Sequence, residues 1–290
     1  MERELRETIN KKLINKENIS YSDLYFEIFN KRISEDESRK RIYGLRDLME
    51  LKDEKVNDRI LCLSDFHVPF QLPVETFSSY VGITDTLVLN GDIVDCTSIS
   101  KFPKLYRSDL TEDMIEARQY IIDLVEFIKP KRVFVLDGNH DTRLGSYLAK
   151  KVDYDIATLL PNSVNELICN DGFYRINKKT RSKEYFTPLS DVMINIGVYF
   201  TYVNDWKYQI GDIVFCHPQA FSSPMMKTAE KAMLWFRNEG YNFKVLTMAH
   251  THRVGSYYVG NTCLIEQGSV RRPTSWPTSG ASFPSRSAIS

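Results

Sequence analysis

Five short apolar runs punctuate the middle of the chain, "RILCLSD", "TLVLNGD", "RVFVLDGN", "DIVFCH" and "KVLTMAH", and each exits onto Gly, Asn, Asp or His. Apolar stretches of this length bounded by turn residues are the pattern of strands buried on both faces. Helical periodicity fills the intervals. In "TEDMIEARQYIIDLVEFIKP", Met114, Ala117, Ile121, Leu124, Val125 and Ile128 fall on one stripe, which Pro130 stops. "PMMKTAEKAMLWFRNEG" repeats the pattern, with Met226, Ala229, Met233 and Phe236 facing inward and Gly240 as the stop. "GSYYVGNTCLIEQGSV" adds a closing pair of strands. Strands alternating with helices predict an α/β domain whose site lies at the carboxyl ends of the strands.

Residues 1–57 have a different texture, rich in charge and helix formers. Apolar positions recur at helical spacing in "YSDLYFEIFNKR" and in "SRKRIYGLRDLMEL", and between them Ser34 with Glu37 forms a capping-box pattern. Two short helices and a turn fit a helix-turn-helix that would lay Arg39, Lys40, Arg41 and Arg46 along phosphates. The unit is roughly neutral, however, and a solvated charged face is the commoner source of such runs. After residue 270 the chain is dominated by Ser, Pro, Thr and Gly, which build no core. The expected organisation is a helical unit over 1–57, the α/β domain over 58–270 and a disordered tail over 271–290.

Charge narrows the partners. Lys plus Arg balance Asp plus Glu at 38 each, so the summed charge exerts no long-range pull toward nucleic acid or an anionic membrane, and any such preference is local. Five cysteines, Cys62, Cys96, Cys169, Cys216 and Cys263, include no CxxC pair, and their odd number argues against a disulfide framework. A reducing compartment follows. The charged start "MERELRETINKKLINK" has no signal-peptide core, and no run reaches the apolar length of a membrane span. A soluble cytoplasmic protein without a membrane partner is expected.

All five histidines, His67, His140, His217, His250 and His252, lie at strand exits. Beside them stand Asp65, Asp92, Asp95, Asn139 and Asp141. Imidazole with carboxylate and amide oxygen is a ligand mixture for divalent metals such as manganese, iron or zinc. In an extended Asp65-x-His67 both side chains would fall on one side of the strand end, and His250-x-His252 repeats the arrangement. A carboxylate such as Asp92 can bridge two ions about 3.5 to 4 Å apart, the separation used for in-line displacement at phosphorus. Taken singly, each piece also has an ordinary reading as a turn cap or a core imidazole. The second "GDIV", at Gly211, lacks the later acid of the first, so Asp212 reads as a turn residue.

The ordered set "DFH", "GDIVD", "GNHD", "CH" and "AHTH" resembles the signature of the calcineurin-like metallophosphoesterases over about residues 58 to 270. The resemblance implies a two-sheet α/β sandwich flanked by helices and holding two metals. Matching positions would give Asp65, His67 and His252 to one metal and Asn139, His217 and His250 to the other, with Asp92 bridging and His140 outside the ligand set. Manganese is the expected metal, with iron, zinc or nickel as alternatives. "GDIVDCTSISKF", "GNHDTRL" and "AHTHRVGSYY" also resemble a subgroup common in phage and prophage genomes, which would place the protein in host cytoplasm. Two positions depart from the family: Ala249 and Pro218 stand where Gly is usual, which narrows the pocket without removing a ligand.

The implied chemistry is hydrolysis of a phosphoester by in-line attack of metal-bound hydroxide. His140 would act as general acid and Asp95 would orient its ring. Cys96 and Thr97 follow Asp95 where phosphoprotein phosphatases of the family have Arg-Gly, and Asp141 stands where they have Glu. The lean is therefore toward a phosphodiesterase or nuclease acting on DNA. The alternatives are a phosphomonoesterase or protein phosphatase, and a nucleic-acid or protein-binding module with incidental catalysis.

Overall fold

The computed structural model describes residues 20–34, 37–42, 58–101, 108–177 and 179–272. The chain divides into two compact units, Met1–Asp58 and Arg59–Ser290.

In the first unit, helix α1 (Tyr21–Phe29) starts at Ser20, whose side chain accepts from Asp23 N, and ends at Asn30 in the left-handed conformation. Ser34 Oγ accepts from Glu37 N at 3.4 Å, and residues 37–42 are helical. Arg41 donates to Tyr25 Oη at 3.2 Å and pairs with Glu37, so its guanidinium is engaged within the unit. Arg39 and Lys40 are exposed. Arg46 lies outside the described residues, as does the tail from residue 273 onward.

The second unit holds two larger sheets. The first has the order β1 (Ile60–Leu63), β2 (Thr86–Asn90), β3 (Arg132–Leu136), β6 (Tyr199–Val203), every pair parallel. A separate hairpin, β4 (Phe173–Ile176) with β5 (Lys183–Phe186), precedes β6. The second sheet combines β7 (Lys207–Ile210), β8 (Ile213–Cys216), β9 (Val245–Met248), β10 (Val254–Val259) and β11 (Thr262–Gln267) in the order β10-β11-β9-β8-β7. Strand β9 runs parallel to both β8 and β11, so β8 and β9 leave the sheet in the same direction.

The five apolar runs are β1, β2, β3, β8 and β9, and the closing pair is β10–β11. Helix α2 (Leu110–Ile128) buries the stripe read from its sequence against the outer face of the first sheet, and Lys129 in the left-handed conformation ends it one residue before Pro130. Val88, Phe134 and Leu136 meet Ile210 and Phe215 between the sheets. On the outer face of the second sheet, Ala229, Met233 and Phe236 of α4 (Lys227–Asn238) pack on Val214, Leu246 and Leu264. Met226 sits just before that helix at φ 59°, half-buried against the same cluster. Each large apolar side chain so buried contributes roughly 1.5–3 kcal/mol relative to exposure. The result is a helix–sheet–sheet–helix sandwich. Asp212 is a turn residue, its side chain paired with Lys244 at 2.6 Å. Among the described residues no helix is long and apolar enough to cross a membrane.

Candidate metal centre

Parallel strands bring their carboxyl ends to one edge, and the polar exits of β1, β2, β3, β8 and β9 gather there. The local reason differs from the extended Asp-x-His expected from sequence. Asp65 and His67 have φ of 55° and 50°, Asp92 has 54°, and His250 and His252 have 82° and 56°. These are left-handed conformations that non-glycine residues adopt at a cost of order 1–3 kcal/mol each, and they turn each side chain inward as its loop leaves the sheet. The loops are held by one another: Asp65 N donates to Gly91 O at 3.1 Å and His67 N to Asp92 O at 3.0 Å. A Cβ on Gly91 would stand 2.6 Å from His217 Nδ1, and one on Gly138 would collide with Asp92, so both positions need glycine.

Ligand-type atoms of Asp65, His67 and His252 lie within 4.8 Å of one another, as do those of Asp92, His217 and His250. The two groups meet at Asp92, whose Oδ2 is 3.3 Å from His217 Nε2 and 3.7 Å from His67 Nε2. Asn139 Oδ1 is 2.6 Å from His250 Nδ1, which adds the amide to the second group. A third group, His67, Asp92 and His140, satisfies the same 4.8 Å limit.

The hydrogen bonds fix which ring nitrogens are free to ligate. His217 Nδ1 is 2.7 Å from Asn90 O, and a carbonyl only accepts, so Nδ1 carries a proton and Nε2 faces the centre. His67 Nδ1 is 3.0 Å from Asp95 Oδ1. Its Nε2 is 3.1 Å from His252 Nε2, two like atoms turned on one point. Asp65 Oδ1 and His217 Nε2 are buried and make no hydrogen bond, although His252 Nε2 is 3.0 Å from that oxygen. Buried carboxylate and imidazole atoms without hydrogen-bond partners, with the Asn139 amide oxygen beside them, fit divalent cations, with Asp95 and Asn90 as supports behind the rings.

Charge follows the same geometry. Burial would raise Asp65 and Asp92, yet the rings around them, His217 foremost, outweigh it and hold both below the usual carboxylate range. Burial is likewise overcome at His67, which the Asp65 and Asp95 carboxylates lift to about 9, and at His217, which Asp92 and Asp65 lift to about 10. His250 is pushed down to about 4 by burial and by His217.

Asp141, quoted within a motif but given no role by the sequence, ties the exits of β2 and β3 together. Its carboxylate accepts from the backbone N–H of Asp92 at 2.7 Å, Ile93 at 3.0 Å, Val94 at 3.1 Å and Gly138 at 2.9 Å. Asp137 supports the same turn from below, accepting from Ser163 Oγ at 2.6 Å and Tyr202 Oη at 2.7 Å. Replacing Asp141 by Ala leaves four buried donors without an acceptor, at about 1–3 kcal/mol each. Chemical denaturation is therefore expected to show a loss of at least about 4 kcal/mol. A loss under about 1 kcal/mol would mean that water replaces the carboxylate without penalty.

His140 lies beside the centre. Its backbone N donates to Asp92 Oδ1 at 2.7 Å, and its Nδ1 is 3.1 Å from both Asp95 O and Asp95 Oδ1. Arg143, at the start of α3 (Arg143–Leu148), donates to His140 Nε2 at 2.7 Å and to Asp95 O at 2.8 Å. Burial, aided by His67 and Arg143, lowers His140 below the ordinary imidazole value despite the Asp92 and Asp95 carboxylates. Arg143 escaped the sequence reading; its place in "GNHDTRL", one turn after His140, was the available signal.

The sequence model of the calcineurin-like phosphoesterase family matches residues 58–264. The chain belongs to that family, hydrolases of phosphoester bonds that use divalent metal ions. Among solved structures, Vps29 from Cryptosporidium parvum matches at 15% identity over 73% of this chain and 74% of that one, with a TM-score of 0.34. A predicted phosphoesterase from Streptococcus pneumoniae TIGR4 matches at 16% identity over 74% of each chain, TM-score 0.31. An archaeal phosphodiesterase matches at 14% identity over 72% of this chain and 83% of that one, TM-score 0.32. A comparison with curated protein sequences found no match.

Proposed function

We propose that the protein is a dinuclear phosphodiesterase acting on DNA, with manganese as its working metal. The observation that carries the reading is the position of Asp92 Oδ2 between two groups of ligand atoms, one on each side. In this reading Asp65, His67 and His252 hold one cation, Asn139, His217 and His250 the other, and Asp92 both. Bound divalent cations supply Lewis-acid charge and lower the pKa of water toward about 7.

The rest falls to the chain's own side chains. Asp95, held beside His140 Nδ1, keeps the proton on that nitrogen and fixes the ring. His140 Nε2 is the atom that would meet the leaving oxygen, and Arg143 covers it. A phosphate oxygen is a stronger acceptor for a guanidinium than an imidazole nitrogen, so an entering substrate draws Arg143 onto itself and frees Nε2, which takes up a proton from solvent before it can pass one to the leaving oxygen. Cys96 and Thr97 after Asp95, and Asp141 after His140, support the choice of a diester over a phosphoprotein.

Screening the manganese-loaded protein against an aryl diester, an aryl monoester, single-stranded DNA and duplex DNA tests the substrate class; turnover of the monoester alone overturns it. The DNA arm has its own test in the exposed Arg39 and Lys40. Reversing both to Glu in the full chain is expected to weaken DNA cleavage with little change on the aryl diester. The slope of log affinity against log salt should flatten by about 0.9 for each phosphate that the variant no longer neutralises. Unchanged DNA cleavage removes the helical unit from substrate binding.

A further inference from the structure

We infer that Phe221, backed by Arg253, is a stacking subsite for the nucleobase next to the scissile phosphate; the inference rests on the phosphodiester reading above. Phe221 is 57% exposed, which on a protein surface means little by itself. Its placement is what distinguishes it. The ring stands edge-to-face with His250, centroids 6.4 Å apart, at the rim of the centre. The Arg253 guanidinium lies over the ring at 5.1 Å, covering one side and leaving the rest to solvent.

Both residues are fixed to the centre by the chain: Phe221 comes four residues after His217, and Arg253 directly follows His252. Arg253 also locks the loop that carries Phe221, donating to Ser223 O at 2.8 Å and Ser222 O at 3.4 Å. From the other side Ser222 N donates to Thr228 Oγ1 at 2.9 Å, and Lys231 Nζ donates to Ser222 Oγ at 3.0 Å. A cation–π pair on one face and an anchored backbone hold the ring in place before any ligand arrives. A nucleotide whose phosphate sits at the centre carries its base one sugar ring away, where it meets the open side of Phe221. Every base has a π-face, so such a subsite recognises nucleotides without selecting sequence.

Thymidine nitrophenyl phosphate and methyl nitrophenyl phosphate share a leaving group and differ only in the group retained. With full-length manganese-loaded protein, Phe221→Ala and Phe221→Leu are expected to lower the ratio of kcat/KM for the nucleoside ester over the methyl ester by about 5- to 100-fold, chiefly through KM, the worth of one base–aromatic stack. Phe221→Trp should restore the ratio. Its added fluorescence, with the parent protein as blank, should be quenched by thymidine monophosphate, a readout independent of turnover. Equal losses on both esters, or no quenching beyond the parent, overturns the subsite. If the parent hydrolyses neither ester while quenching persists, the diesterase reading fails and base stacking stands.

Discussion

Asp92→Asn is expected to abolish hydrolysis and to lower metal content toward one ion or none per chain. The amide loses the charge that lets one side chain serve two cations, and it presents an N–H₂ group to one of them. The site has no substitute, because the Asp92 oxygen nearest both His217 and His67 is the one at stake. Elemental analysis of the purified variant beside a diesterase assay checks the result. Full activity with two metals retained would sink the ligand assignment. The substitution spares the fold in one respect, since Asp141 holds residue 92 through its backbone N–H, which Asn keeps.

The second large effect is expected at His140. His140→Asn should leave both metals bound while kcat falls by about 10² to 10⁴, the usual worth of a general acid or base. The backbone N–H that donates to Asp92 Oδ1 survives the change, so the Asp92 carboxylate keeps its support. The measurement is discriminating because His140 also belongs to a cluster with His67 and Asp92 that could itself take an ion. Metal loss parallel to the loss of turnover would make His140 a ligand.

Strands buried on both faces were legible in the sequence because their apolar runs end abruptly at polar residues; β2, for example, is buried throughout as "TLVLN". Strands β6 and β7 were not, since both are half-buried, "YFTYV" breaks its apolar run at Thr201, and the alternation of "KYQI" spans only four residues. The exposed hairpin β4–β5 left still less of a pattern. At the site, residue types could be read because five histidines sat at strand exits. The backbone that converges them could not, as nothing in Asp65-x-His67 announces a left-handed turn. The supports were hidden for another reason: Asn90 reaches His217 and Asp141 reaches Asp92 only once strands distant in sequence lie side by side. In the N-terminal unit the capping residues were readable. The second helix is described only to Ile42, so the expectation for Arg46 falls beyond it.

The candidate ligands are drawn from both halves of the sandwich. Asp65, His67, Asp92 and Asn139 leave the first sheet, while His217, His250 and His252 leave the second. Neither sheet alone can complete a site for either cation, so a bound pair of ions would clamp the two layers together. Affinity for metal then becomes resistance to opening along the seam between the sheets, growing with free ion concentration as any ligand restricted to the native state requires. The hydrolytic centre would double as the rivet of the domain.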